Sequence, residues 1–342
     1  MKIIDLRSDT VTRPSEEMRR AMYNAEVGDD VFKEDPTINE LQEYTADLLG
    51  KEGALYVPSG TMGNQICLRV LTEPGDEVIC EKDAHIFNYE SASPAALSGI
   101  QLFPVEGKNG VMPEDKVEEA IRPKSAYYMP RTKVIEIENT HNRASGAIQP
   151  MESIKKIGEI ARKYELFYHL DGARIWNASV ATGINVKEYA AEFDTISCCL
   201  SKGLGAPVGS LIAGEKNFIE KAFRIRKSWG GGMRQAGVLA AAGLYALKNN
   251  FKKLSEDHEK AKMILNWINS NPSLEVEKAA VQTNIIIFKP LILTVEQAIQ
   301  KGKESGLLMS TGKKDSLRIV THLDVTFEDI QEAISRMKKI FN

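Results

Sequence analysis

Three short polar segments stand where apolar runs stop, and their residue types suit chemistry on a bound ligand. They are Ser59-Gly60-Thr61 after residues 54–57, Asp171-Gly172-Ala173-Arg174 after 167–170, and Ser201-Lys202-Gly203 after 195–200. A lysine at a strand end among small residues is partly desolvated, which frees its amine as a nucleophile; Lys202 also has the setting of a solvated loop lysine. A strand-end carboxylate such as Asp171 can hold an aromatic ring nitrogen protonated, and the same position commonly caps a helix. Arg174 suits a carboxylate, a ring oxygen or a surface salt bridge. Ser59-Gly60-Thr61-x-Gly63-Asn64 lies between a strand and a helix, where free N–H groups accept a phosphate. It is neither a P-loop nor G-x-G-x-x-G, so the familiar nucleotide motifs are missing. His85, in Lys82-Asp83-Ala84-His85-Ile86-Phe87, offers a ring to stack on a cofactor or a polar group for a core. The other histidines (141, 169, 258 and 322) show no metal-ligand spacing, and no metal is expected.

The pattern around these segments predicts the elements that carry them. Residues 36–50 read as a helix, with Pro36 at its start and Gly50 at its stop. Residues 62–72 and 151–164 read as helices, and 77–81, 133–138, 167–170, 195–200 and 209–213 as strands. Strands alternating with helices imply right-handed crossovers and a mostly parallel sheet covered on both faces. In such sheets ligands bind beyond the carboxyl ends of the strands, where the three segments fall. Residues 235–268 read as mainly helical. Strand patterns at 284–288 and 316–320, mixed with helices near 294–305 and 326–341, suggest a smaller α+β domain. The expected division is 1–250, an N-terminal segment plus a large domain, and 251–342, a small one.

Composition narrows the classes. The chain has 342 residues, 43% hydrophobic and 27% charged, enough for about two lobes of a globular protein. A net charge of −3 with no long Lys/Arg run argues against a nucleic-acid partner. No apolar stretch has the length of a membrane span and no secretory leader is visible, so a cytoplasmic protein is expected. Cys67, Cys80, Cys198 and Cys199 form no C-x-x-C pair and read as small buried residues of a reducing compartment.

Phosphate turn, histidine, strand-end aspartate and strand-end lysine follow one another in the layout of aspartate-aminotransferase-like (fold type I) enzymes that use pyridoxal 5′-phosphate (PLP). Over nearly the whole chain the sequence resembles the low-specificity L-threonine and L-allo-threonine aldolases of the β-eliminating lyase group. The resemblance is carried by Asp5-Leu6-Arg7-Ser8-Asp9-Thr10, Gly28-Asp29-Asp30-Val31, Pro58-Ser59-Gly60-Thr61, Glu138-Asn139-Thr140-His141-Asn142, His169-Leu170-Asp171-Gly172-Ala173-Arg174, Leu200-Ser201-Lys202-Gly203, Gly230-Gly231-Gly232-Met233-Arg234-Gln235 and Arg318-Ile319-Val320-Thr321-His322.

The resemblance implies retro-aldol cleavage of threonine or allo-threonine to glycine and acetaldehyde, with PLP as cofactor. It implies that Lys202 forms the Schiff base, Asp171 meets the pyridine nitrogen and His85 stacks on the ring. Gly60 and Thr61 would bind the phosphate, helped by Arg234 and Lys227 from a neighbouring subunit of a homotetramer. Ser8, Arg174 and Arg318 would hold the substrate carboxylate. Two departures bear on the β-substituent: Tyr128 where relatives commonly have histidine, and Phe32-Lys33 where many have Tyr-Gly. His85, through a water, or Tyr128 is the expected base, and a tyrosine is the poorer one near neutrality. The alternatives are a β-eliminating lyase, an aldolase for another β-hydroxy amino acid (phenylserine-type), a non-catalytic relative and a nucleotide-binding oxidoreductase. Intact Lys202 and Asp171 argue against the third, and the missing G-x-G-x-x-G against the fourth.

Overall fold

A computed structural model describes residues 2–277 and 280–342. The chain opens with the short strand β1 (Ile4–Asp5) and then builds the large sheet from β2 (Gly53–Val57), β3 (Asp76–Glu81), β4 (Gln101–Val105), β5 (Arg131–Glu138), β6 (Phe167–Asp171), β7 (Thr195–Cys199) and β8 (Ser210–Gly214). Their order across the sheet is β2-β8-β7-β6-β5-β3-β4. β8 runs antiparallel to both neighbours, and the remaining pairs are parallel. Every residue of β3, β7 and β8 is buried, the mark of a sheet covered on both faces.

Local chemistry explains the covering helices. Pro36–Leu49 starts where the Asp35 carboxylate accepts the Ile38 N–H, and it stops at Gly50 with φ +63°. Gly60–Leu71 starts where Ser59 Oγ accepts the Met62 N–H. That helix rests directly on the sheet: a Cβ on Gly63 would lie 2.6 Å from Ser197 Oγ. The region expected to be mainly helical resolves into Gly237–Asn249 and Leu254–Ser270.

The second body is an antiparallel sheet in the order β12-β13-β10-β9, from β9 (Leu274–Val276), β10 (Ile285–Pro290), β12 (Ser310–Thr311) and β13 (Leu317–Val320). β11 (Leu307–Leu308) pairs in parallel with β1. Ile4 and Leu6 accordingly pack in the same core as Phe288, Ile319, Met337 and Phe341. The N-terminal segment thus belongs by hydrogen bonding to the C-terminal body, and the residues after it cross to the large sheet. Among the described residues, no helix is long and apolar enough to span a membrane.

Candidate active site

The carboxyl ends of β2, β5, β6 and β7 meet at one edge of the large sheet and surround a cleft of about 180 Å³. Its walls include Ser59, Gly60, Thr61, His85, Asp171, Arg174 and Lys202, so the three strand-end segments and the histidine converge as their spacing predicts. Ser59 Oγ is taken by Met62 N and the Ser59 carbonyl by Gly63 N, which leaves the N–H groups of Gly60 and Thr61 outside the cap. A Cβ on Gly60 would stand 2.8 Å from Cys199 Sγ, so this helix start fits closely against the end of β7.

Asp171 closes the floor. Its Oδ1 accepts the Ala173 N–H at 3.0 Å and its Oδ2 accepts Asn64 Nδ2 at 2.7 Å. The same Asn64 nitrogen donates to Glu90 Oε1 at 2.9 Å, and Gln65 Nε2 donates to Glu90 Oε2 at 2.6 Å. His85 Nδ1 lies 2.8 Å from Glu90 Oε1. Burial works against the charged form of His85, but the Glu90 hydrogen bond and the charges of Asp171, Glu138 and Glu90 outweigh it, so the pKa rises above its usual 6.5. Glu138 spans two backbone positions, accepting the N–H groups of His85 and Asn142, both at 2.8 Å.

The cationic groups differ from the expectation in two respects: Arg174 is paired within the chain, and Arg318 is not among the residues that line the cleft. Arg174 directs its fork at Asp9: Nε meets Oδ2 and Nη2 meets Oδ1, both at 2.7 Å. Asp9 is fully buried, and although burial opposes its charged form, Arg174 holds its carboxyl well below the usual range. That pair leaves Arg174 Nη1 and the second hydrogen of Nη2 as its remaining donors. Arg318 Nη2 donates to Asn142 Oδ1 at 2.8 Å and Nη1 to the Arg7 carbonyl at 3.1 Å, while its buried Nε has no partner among the described residues. Burial, with Arg174 and Arg143 nearby, lowers the Arg318 pKa to about 10. A buried guanidinium with a spare N–H suits a small carboxylate.

The family follows from comparison with known proteins. The profile of the β-eliminating lyases matches residues 5–290. Low-specificity L-threonine aldolase 1 of Arabidopsis thaliana is 45% identical over 341 residues, covering 98% of this chain and 95% of that one. The low specificity L-threonine aldolase of Escherichia coli is 42% identical and covers 98% of both chains. The chain belongs to this family of threonine aldolases. Its fold matches that of a Leishmania major threonine aldolase, with a TM-score of 0.83 and 17% identity over 98% of this chain and 99% of that one. A serine palmitoyltransferase of Sphingomonas wittichii shares the fold more distantly, with a TM-score of 0.77 and 16% identity over 99% and 87%. The fold is therefore that of the fold type I PLP enzymes, and the chain is a PLP-dependent aldehyde-lyase.

Not every residue singled out from the sequence of this family member reaches the cleft of its own chain. Tyr128 is 75% exposed in the loop before β5 and lines no part of it. Lys227 lies in the last turn of the helix Lys216–Ser228, and Arg234 pairs with Asp29 at 3.0 Å on the surface. Ser8 caps a short helical turn through the Thr10 N–H, directly after Arg7, whose carbonyl Arg318 binds. Phe32 is exposed, and Lys33 adopts a left-handed backbone with φ +62°, where a glycine would be unstrained. Asp9, Glu90, Glu138 and Asn142 were not assigned from the sequence. Asp9, Glu138 and Asn142 lie inside the family motifs, but nothing local marks Glu90.

Proposed function

We propose that the chain cleaves the Cα–Cβ bond of L-threonine and L-allo-threonine, giving glycine and acetaldehyde. The observation that carries this reading is the single cleft in which Lys202, the doubly hydrogen-bonded Asp171 and the free first turn of the helix Gly60–Leu71 face one another. These groups fit PLP: an amine to tether it, a carboxylate for its ring nitrogen and two N–H donors for its phosphate. When bound, PLP supplies the sink for the electron pair released from the Cα–Cβ bond.

The chain's own residues supply the rest. Arg174 and Arg318, with Ser8, hold the substrate carboxylate. That grip orients the bond to be broken. His85 covers the cofactor and removes the β-hydroxyl proton at Nε2, directly or through a water. Tyr128, outside the cleft, leaves that task to His85. Lys227 and Arg234 complete the phosphate site of a second copy in a homotetramer. Cofactor binding falls to residues 1–250, while 251–342 deliver Arg318.

The test is direct. Purified protein is expected to carry a visible PLP band that Lys202→Ala removes, and to release acetaldehyde from either threonine in a coupled dehydrogenase assay. A PLP band with pyruvate and ammonia from serine, and no acetaldehyde, would replace the aldolase reading with β-elimination.

A further inference from the structure

Glu90 is an expensive residue to place where it stands. Its side chain has no solvent exposure, and a buried carboxylate costs several kcal/mol unless it is hydrogen-bonded. Three side-chain nitrogens meet it: Gln65 Nε2 at 2.6 Å, His85 Nδ1 at 2.8 Å and Asn64 Nδ2 at 2.9 Å. The backbone is bent to hold it there. Ser91 and Ala92, the two residues after it, have φ of +53° and +56°, a left-handed conformation that costs a non-glycine residue about 1–2 kcal/mol. Such strain persists only where the surroundings impose it, and it concentrates at functional sites.

The chemistry of the contact decides its direction. An ionised carboxylate can only accept, so Nδ1 of His85 must carry the proton in their hydrogen bond. Nε2 is then the nitrogen left for the cleft, and in the neutral ring it is an acceptor. Asn64 extends the arrangement, because one amide nitrogen is shared between Glu90 and Asp171.

We infer that Glu90 is a positioning residue of the aldolase site: it fixes the His85 ring with Nε2 toward the substrate, and through Asn64 it sets the Asp171 carboxylate in register with that ring. This rests on the reading of His85 as the proton acceptor. In the step it supports, the β-hydroxyl O–H bond breaks and an Nε2–H bond forms. As the Cα–Cβ bond breaks, the oxygen's electrons close the aldehyde carbonyl. Glu90 then faces an imidazolium and stabilises it, as the carboxylate of a Ser-His-Asp triad does. The other charged groups around His85 are Asp171 from β6 and Glu138 from β5, with Lys202 and Arg174 across the cleft and Arg143 beyond the Tyr89 ring. The helix Gly60–Leu71 brings only neutral amides.

The experiment compares wild type, Glu90→Gln, Glu90→Asp and Gln65→Leu as PLP-loaded full chains. Histidine labelled at Cε1 reports the titration of His85 by NMR, independently of turnover, and His85→Asn assigns the signal. Glu90→Gln is expected to lower the His85 pKa by about one unit or more. It should reduce kcat about tenfold to a hundredfold, with KM changing far less. The acid limb of kcat should move to lower pH with the titration. Glu90→Asp should recover part of both. Gln65→Leu removes a neutral donor and should move the His85 titration the other way, which keeps the inference testable if Glu90→Gln fails to fold. An unchanged His85 titration in the Glu90 variants, or a loss of kcat with an unmoved acid limb, overturns it. If wild type releases no acetaldehyde yet the titration shifts as stated, the reaction falls and the control of His85 by Glu90 stands. Acetaldehyde without any shift sinks the role of Glu90 alone.

Discussion

Glu90–His85 and Glu81–His141 are the same chemical pair in opposite settings. His85 Nδ1 meets Glu90 at 2.8 Å with 31% of the imidazole side chain exposed. His141 Nε2 meets Glu81 at 3.1 Å with 1% exposed. Glu81 also binds the Asp83 N–H at 2.5 Å and the Gly107 N–H at 3.2 Å, so its histidine is one strut among several that fasten loops. The Glu90 carboxylate binds the side chains of Gln65, Asn64 and His85, the last two of which line the cleft. A third pair lies deeper: Glu136 and His169 stand opposite one another on β5 and β6, both wholly buried, and neither Glu136 oxygen nor His169 Nε2 has a partner among the described residues. Residue type does not separate these three places. What separates them is whether a nitrogen is left facing an open volume.

The largest effect that would break this comparison is on turnover. His85→Asn is expected to lower kcat about a hundredfold or more, while Tyr128→Phe, outside the cleft, changes it far less. Equal losses, or the reverse order, in steady-state assays on threonine would move the base away from the Glu90 pair.

His141→Leu sharpens the contrast from the structural side. It leaves Glu81 short of a buried partner, so stability should fall by about 1–3 kcal/mol in urea titrations, with kcat changed much less than by His85→Asn. The pH dependence has a definite sign. Burial works against charged His141, but Glu138 and the Glu81 hydrogen bond outweigh it and raise its pKa above 6.5. A group raised in the folded state stabilises below its unfolded pKa and loses that contribution as pH rises through the folded value. The destabilisation by His141→Leu should therefore be larger at pH 6 than at pH 9, and a difference that grows with pH would show the pair to be neutral.

The smallest expected effect comes from Glu136→Gln. Burial pushes this carboxyl well above 4.5, and the charges of Asp171, Glu138, Glu90 and Glu81 push the same way. Its contribution to wild-type stability is complete below about pH 4.5 and declines as pH rises toward the folded value. The denaturation midpoint of the variant should gain on that of wild type between pH 5 and pH 8. A constant gap would mean that Glu136 is already paired, by His169 or a buried water.

Much was legible before the chain was folded, because much depends on neighbours in sequence. Pro36 and Gly50 mark the ends of their helix through φ preference and capping, which act within a turn. The apolar runs before Ser59, Asp171 and Lys202 are strands because alternating or continuous burial imposes its period locally. Their order pointed to the fold type and the cofactor, the family resemblance implied the reaction, and the comparisons support all three. Tertiary structure alone decided which polar groups face each other. Arg174 forks onto Asp9, 165 positions away in the chain. Arg318 comes from the other body, and Glu90 meets His85 just ahead of two left-handed residues, Ser91 and Ala92, neither of which is glycine. Hydrophobic period and caps are short-range, whereas the pairing of buried charges is set by where packing brings distant strand ends together and how much water it leaves there.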